Sequence, residues 1–235
     1  MLFMHEVHSV AGEHEHEFEA AYRDGWMTQL ARDDDARLLW YLNHAHGSGM
    51  SYRVVTITAI RDGAAYERLA DRLRRGDLLD WSRAVGALRH EVQGKMLLPV
   101  YWSPIQEIDL AAVPTDGSEH ELSLYMEDTG WPSAPLDDYI RFWDHEYFRN
   151  MRAMTPEHSI LEIEACFQVA HGTHYRPEAM LMQKILNYGL LPSLISEPEE
   201  YDPDVWPGRY MHRGLRYRDQ WESKLLRTSK WSPRY

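Results

Sequence analysis

Residues 13–31 read EHEHEFEAAYRDGWMTQLA, and residues 136–154 read LDDYIRFWDHEYFRNMRAM. Each stretch spaces three large aromatic residues four apart: Phe18, Tyr22 and Trp26 in the first, Tyr139, Trp143 and Tyr147 in the second. That spacing puts the rings on one face of a helix. The acidic residues from Glu13 to Glu19 suit a helix start, where negative charge complements the dipole. Two helices with the same aromatic face, offset by 121 residues, predict that the chain contains one unit twice.

Reading outward from the first helix, Leu2 to Val10 is predicted as a strand, as are Arg37 to His46, closed by Gly47-Ser48-Gly49, and Tyr52 to Ile60. Asp62-Gly63 opens a helical region, broken at Gly76, that runs to about His90, and Lys95 to Trp102 is a fourth strand. The turn-rich run Pro114-Thr115-Asp116-Gly117 separates this from a second round of the same elements. There the strands are Glu121 to Glu127, Ser159 to Ala170, Glu178 to Leu186 and Lys224 to Trp231. A Pro-rich stretch from Pro192 to Pro207 leads into a helix ending near Trp221.

Residues match between the rounds at drifting offsets. At 121, Glu6 matches Glu127 along with the aromatic ladders; at 125, Ala45-His46-Gly47 matches Ala170-His171-Gly172. At 129, Arg89, Lys95 and Trp102-Ser103-Pro104 match Arg218, Lys224 and Trp231-Ser232-Pro233. The expected division is a first repeat over residues 1–110, a linker over 111–118 and a second repeat over 119–235.

A β-α-β-β-α-β unit is ferredoxin-like: a four-stranded antiparallel sheet with helices on one face. The bare face needs cover, and a second copy supplies it. In element order, in the N-terminal strand, in the aromatic-faced first helix and in the two Trp-Ser-Pro strand ends, the chain resembles the dimeric α/β-barrel superfamily. That group includes antibiotic-biosynthesis monooxygenases, the NIPSNAP and EthD groups, and haem proteins such as chlorite dismutase. The resemblance implies an α+β fold of two ferredoxin-like repeats, with their antiparallel sheets packed together as an intrachain pseudo-dimer. It also implies a ligand cavity, between sheet and helices or between the sheets.

Composition narrows the function. A net charge of −12 disfavours nucleic acid and anionic membrane as partners. No apolar run approaches the length of a membrane span. The single cysteine, Cys166, excludes an intrachain disulfide, and no secretory leader is visible at Met1-Leu2-Phe3, so a cytoplasmic location is expected. There is no GxGxxG, Walker A or GxSxG motif. The expected partner is a small-molecule substrate, with homo-oligomerisation left open.

Strand alternation selects the candidate site residues. Leu122, Leu124 and Met126 form an apolar face for the helices, so Tyr125 and Glu127 are expected to point into the space between the sheets, with Glu6 and His8 following by the repeat. On the second strands, Leu38, Trp40, Leu42 and His44 match Ile163, Ala165, Phe167 and Val169 as the helix side. Tyr41, Asn43, Glu164, Cys166 and Gln168 are then expected opposite. Glu127, Glu6 and His8 are the candidate acid/base groups; Tyr41, Asn43, Tyr125, Glu164, Gln168, Trp102, Trp231 and Arg227 are the candidate substrate contacts. A structural ion pair of Arg227 with Glu164 or Glu127 explains the buried carboxylates nearly as well. No cofactor is expected. The nearest approach to a metal ligand set is Glu6, His8 and Glu127, and haem would need an axial histidine such as His171, His174 or His212.

The resemblance and these residues together predict a monooxygenase-like enzyme that acts on an aromatic or apolar substrate without a nucleotide cofactor. Metal-assisted isomerase or lyase chemistry, and non-catalytic ligand binding of the NIPSNAP kind, are the alternatives.

Overall fold

A computed structural model describes residues 1–155, 157–173, 176–192 and 202–235. The chain opens with β1 (Leu2–Val10), followed by a helix made of α1 (Glu15–Ala20), a π-helical turn (Ala21–Trp26) and α2 (Met27–Leu30). Side chains four apart drift by about 40° per step around an α-helix of 3.6 residues per turn. The wider π turn offsets that drift, and Phe18, Tyr22 and Trp26 all bury against the sheet. After β2 (Ala36–His44) and β3 (Arg53–Ile60), Asp62 caps α3 (Gly63–Arg75) by accepting from the Ala65 amide at 2.8 Å. Then come α4 (Leu79–Ala87) and β4 (Arg89–Pro99).

The second half runs β5 (Leu124–Pro132), α5 (Leu136–Phe142), a π-helical turn (Trp143–Phe148), α6 (Arg149–Ala153), β6 (Leu161–His171), β7 (Ala179–Ile185), α7 (Gly208–Gly214) and β8 (Arg218–Thr228). The eight strands among the described residues form one closed antiparallel barrel, in the order β1-β3-β2-β8-β5-β7-β6-β4. Within each half the order is the same, β4-β1-β3-β2 and β8-β5-β7-β6.

The two sheets therefore do not simply lie face to face. They join edge to edge, β2 to β8 through Leu42↔Thr228 and His44↔Leu226, and β4 to β6 from Met96↔His171 to Pro99↔Phe167. Closure gives every described strand two neighbours, although the two seams pair only part of each strand's length. The barrel interior is filled by side chains such as Phe3, Leu42, Ile57, Tyr125, Phe167 and Met182, and the helices pack outside it.

Several element boundaries differ from those expected. β4 and β8 begin at Arg89 and Arg218, earlier than Lys95 and Lys224, and end before Trp102 and Trp231. Beyond Arg89 and the buried Arg218, their first halves are exposed and mostly polar, so they carry no apolar alternation. β5 continues to Pro132 through Asp128-Thr129-Gly130, a run whose residue types resemble a turn.

Side-chain direction also differs, because a register shift interrupts β2 between Leu38 and Trp40 and β6 between Ile163 and Ala165. An inserted residue reverses the alternation beyond it. Leu38 and Ile163 face the helices as expected, but Trp40, Leu42, Ala165, Phe167 and Val169 face the barrel interior. Tyr41 and Cys166 pack under the helices instead.

Candidate functional site

Inside the barrel, Glu127 is fully buried, with an ion pair to Lys224 Nζ at 2.9 Å and a hydrogen bond to His5 Nε2 at 2.8 Å. Burial alone would push its carboxyl up, but Lys224 and His5 outweigh burial and hold it well below the usual carboxylate range. The Tyr125 hydroxyl donates to Glu164 at 3.1 Å, and Arg234 reaches the other Glu164 oxygen at 3.5 Å. The partners of these carboxylates are thus Lys224 and Arg234, and not Arg227, which lies on the other face of β8 from Lys224 and Leu226.

Glu6 and His8 point away from this interior, into the helix layer of the first half. His8 bonds to Tyr22, Thr56 and Arg89 at 3.2, 3.0 and 2.7 Å. Burial, with the Arg89 and His5 charges, pushes the His8 pKa well below its ordinary value, while burial raises that of Glu6. The expectation failed by one residue. The aromatic ladders repeat at 121, but β1 and β5 repeat at 122: their register shifts fall at Ser9/Val10 and Trp131/Pro132. One residue of slip moves a side chain to the opposite face of a strand. The counterpart of Glu6 is Asp128, and that of Glu127 is His5.

The remaining candidates are dispersed. Tyr41 packs on Trp231 with ring centroids 4.8 Å apart, and Asn43 donates to Ser229 at 3.1 Å. Trp102 donates to the Ile140 carbonyl at 3.1 Å, while Trp231 donates to Glu19 at 2.7 Å, so each half's closing segment clamps the other half's first helix. Gln168 lies on the helix side of β6, opposite Ala179.

A space that can hold a ligand lies on the helix side of the second sheet. A cavity of about 820 Å³ opens between β5, β8 and the helices, with His46 and Ser48 of the first half at its edge. Its walls include Met126, Trp143, Met151, Leu161, Trp206 and Leu225. In the first half Trp81 occupies the corresponding layer, stacked on Trp26 at 4.6 Å and donating to the Ala21 carbonyl.

Asp128 lies on the floor of this cavity. Gln183 donates to one of its oxygens at 2.8 Å and Ser223 to the other, and Tyr147 donates to the Gln183 carbonyl oxygen at 2.6 Å. Burial pushes the Asp128 carboxyl up to about 6, against those hydrogen bonds and the charge of Arg218. Tyr139, Tyr210 and Arg218 complete the polar surface. Alternation misses Asp128 because the predicted strand ends at Glu127, whereas Tyr139 and Tyr147 read as core packing of the helix. The usable signal was the match of Arg218 to Arg89.

Neither metal nor haem fits the described donors. Among the described residues, no three His, Cys, Asp or Glu side chains come together. Glu6 and His8 are on the opposite face of the barrel wall from Glu127. Among the described lining residues, His46 is the sole histidine, and it is exposed at the rim. The lining tyrosines Tyr139, Tyr147 and Tyr210 are kept protonated by burial. His171 and His212 are exposed outside the lining, and His174 lies outside the described residues.

No protein-family model and no curated protein matches the chain. Solved structures do match along nearly its whole length. An anthrone oxidase-like protein shares 10% identity over 97% of this chain and 91% of its own, with a TM-score of 0.53. A candidate monooxygenase from Fusobacterium nucleatum subsp. nucleatum shares 5% over 97% and 91%, at 0.57. A dye-decolorizing peroxidase from Bacteroides thetaiotaomicron shares 8% over 98% and 93%, at 0.56. At such identities the likeness is one of fold: the chain shares the α+β barrel architecture of these proteins, with the whole closed antiparallel barrel carried on one polypeptide.

Proposed function

We propose that the protein is a small-molecule enzyme that binds an apolar ring compound in the second-half cavity and oxidises it in a monooxygenase- or oxidase-like reaction begun by proton transfer to Asp128. One observation carries this reading: a carboxyl with its pKa raised to about 6 on the floor of a largely apolar cavity. A base is most effective when its pKa lies near the working pH. Gln183 and Ser223 hold the carboxylate in one orientation, and the apolar side chains of the walls would pack against the bound ring. The substrate, once deprotonated, would itself supply electrons to dioxygen, which agrees with the lack of a nucleotide fingerprint in the sequence. The oxidase-like and monooxygenase neighbours support oxidation as the reaction class.

The test is dioxygen uptake with anthrone and with 2-naphthol. Asp128→Asn should slow uptake by about 10²–10⁴-fold, the usual contribution of general acid–base catalysis, without loss of ligand binding. The wild-type rate should rise with pH through about 6. An unchanged rate in the variant would remove Asp128 from the chemistry, and binding without uptake would leave a ligand-binding protein.

We also infer that the barrel is an intrachain pseudo-dimer of two ferredoxin-like repeats, residues 1–110 and 119–235, joined by 111–118. Its support is the same strand order in each half, together with recurring irregularities that this order does not require: matching π turns and matching register shifts. A cytoplasmic location remains part of this reading on the sequence alone.

A further inference from the structure

Arg218 is 3% exposed, yet no described carboxylate forms an ion pair with it, and its Nη1 has no hydrogen-bond partner. Nη2 makes one long bond to the Tyr210 hydroxyl at 3.4 Å, and the guanidinium lies over Trp221 at 4.1 Å from the ring centre. A cation withdrawn from water is costly unless an anion or several acceptors compensate it. The neighbouring Tyr139 hydroxyl is buried beside the same guanidinium, with no carboxylate bonded to either group among the described residues, and both residues line the cavity.

The first half has a counterpart. Arg89 occupies the position of Arg218, pairing with Val10 as Arg218 pairs with Pro132. Its guanidinium bonds to His8 Nδ1 at 2.7 Å. The residue in the second half equivalent to His8 is Gly130: His8 pairs with Val92, and Gly130 with Trp221. Loss of that side chain leaves the second arginine without its acceptor. It also makes the room that the Tyr139 hydroxyl takes, for a Cβ on Gly130 would collide with it. The half with the intact Arg–His contact is filled by Trp81; the half without it contains the cavity.

We propose that Arg218 and the Tyr139 hydroxyl form the recognition site for a negatively charged oxygen on the ring-containing ligand, either a carboxylate or the phenolate or enolate oxygen that appears when a proton is lost. This deepens the reading of the same cavity given above and rests on it. Asp128 would remove the proton, and Arg218 would hold the resulting charge. An unfunctionalised hydrocarbon would leave Arg218 uncompensated and bind poorly.

The experiment compares two nearly isosteric probes, 2-naphthoate and the neutral 2-naphthamide, by calorimetry or tryptophan quenching. At pH 5.5 the acid is ionised while Asp128, with its pKa near 6, is mostly protonated. The wild type should bind naphthoate at least tenfold more tightly than naphthamide, a difference of about 1.4 kcal/mol. Arg218→Met should abolish that preference while changing naphthamide affinity by less than about threefold, and Arg218→Lys should retain part of it. Raising the pH to 8 should shrink the preference, since Asp128 then repels the anion. Equal binding of both probes by the wild type would overturn the inference and leave the cavity reading intact. Failure of both to bind would overturn the two together. The wild-type ratio decides the matter even if a variant fails to fold.

Discussion

Replacing Asp128 by Asn should change stability in a manner that depends on pH, and the size can be worked from its surroundings. Its carboxyl titrates near 6 in the folded protein, against about 3.9 in an unfolded chain. A raised acid stabilises the fold when protonated in both states. That stability is fully present below the unfolded pKa and is lost as pH rises through the folded one. A gap of about two units is worth about 3 kcal/mol in total, of which roughly 1.4 kcal/mol develops between pH 8 and pH 5. Asn cannot titrate, so Asp128→Asn loses this dependence, and any altered hydrogen bonding to Gln183 and Ser223 cancels between the two pH values. Urea denaturation of both proteins at pH 5 and pH 8 should therefore show the variant gaining about 1–1.5 kcal/mol relative to wild type at the higher pH. A difference constant within about 0.3 kcal/mol, or one of opposite sign, would refute the premise that Asp128 is a desolvated, raised carboxyl.

Glu127→Gln should be costly to folding, by about 3–5 kcal/mol, because it strands buried Lys224 opposite a neutral partner; ligand binding in the helix-side cavity should survive, as titration of the folded variant would record. The low Glu127 pKa has the opposite sign to that of Asp128: its contribution is present above the unfolded carboxylate pKa and is lost as pH falls below it. Trp26→Ala should cost about 3–5 kcal/mol, since that ring is 2% exposed and stacks on Trp81. Gly130→Ala should displace the Tyr139 phenol into the cavity and weaken ligand affinity more than it lowers the melting temperature.

Much of the architecture was legible because the aromatic ladders and Trp-Ser-Pro ends are long-range repeats that survive the drift of loops. Strand faces were far less legible, for a physical reason. Parity along a strand has period two, so the single-residue shift at Leu38/Trp40 or Ile163/Ala165 inverts every later assignment. The same arithmetic turned Glu6 toward Arg89 and left Glu127 facing His5. Asp128 was hidden by its neighbours: Asp, Gly and Pro usually mark turns, yet here Asp128, Gly130 and Pro132 continue β5 beside β8. Lys224 and Arg234 as ion-pair partners depend on closure of the barrel, which no local pattern encodes.

The central claim is that ligands enter the helix-side cavity of the second half and not the barrel interior. Methionine methyl NMR separates the two spaces, because Met126, Met151, Met154 and Met211 line the cavity, whereas Met180 and Met182 belong to the interior core. Titration with 2-naphthol should move the first four methyl signals and leave the last two in place. Movement of Met180 and Met182, with the cavity methyls unchanged, would contradict the account.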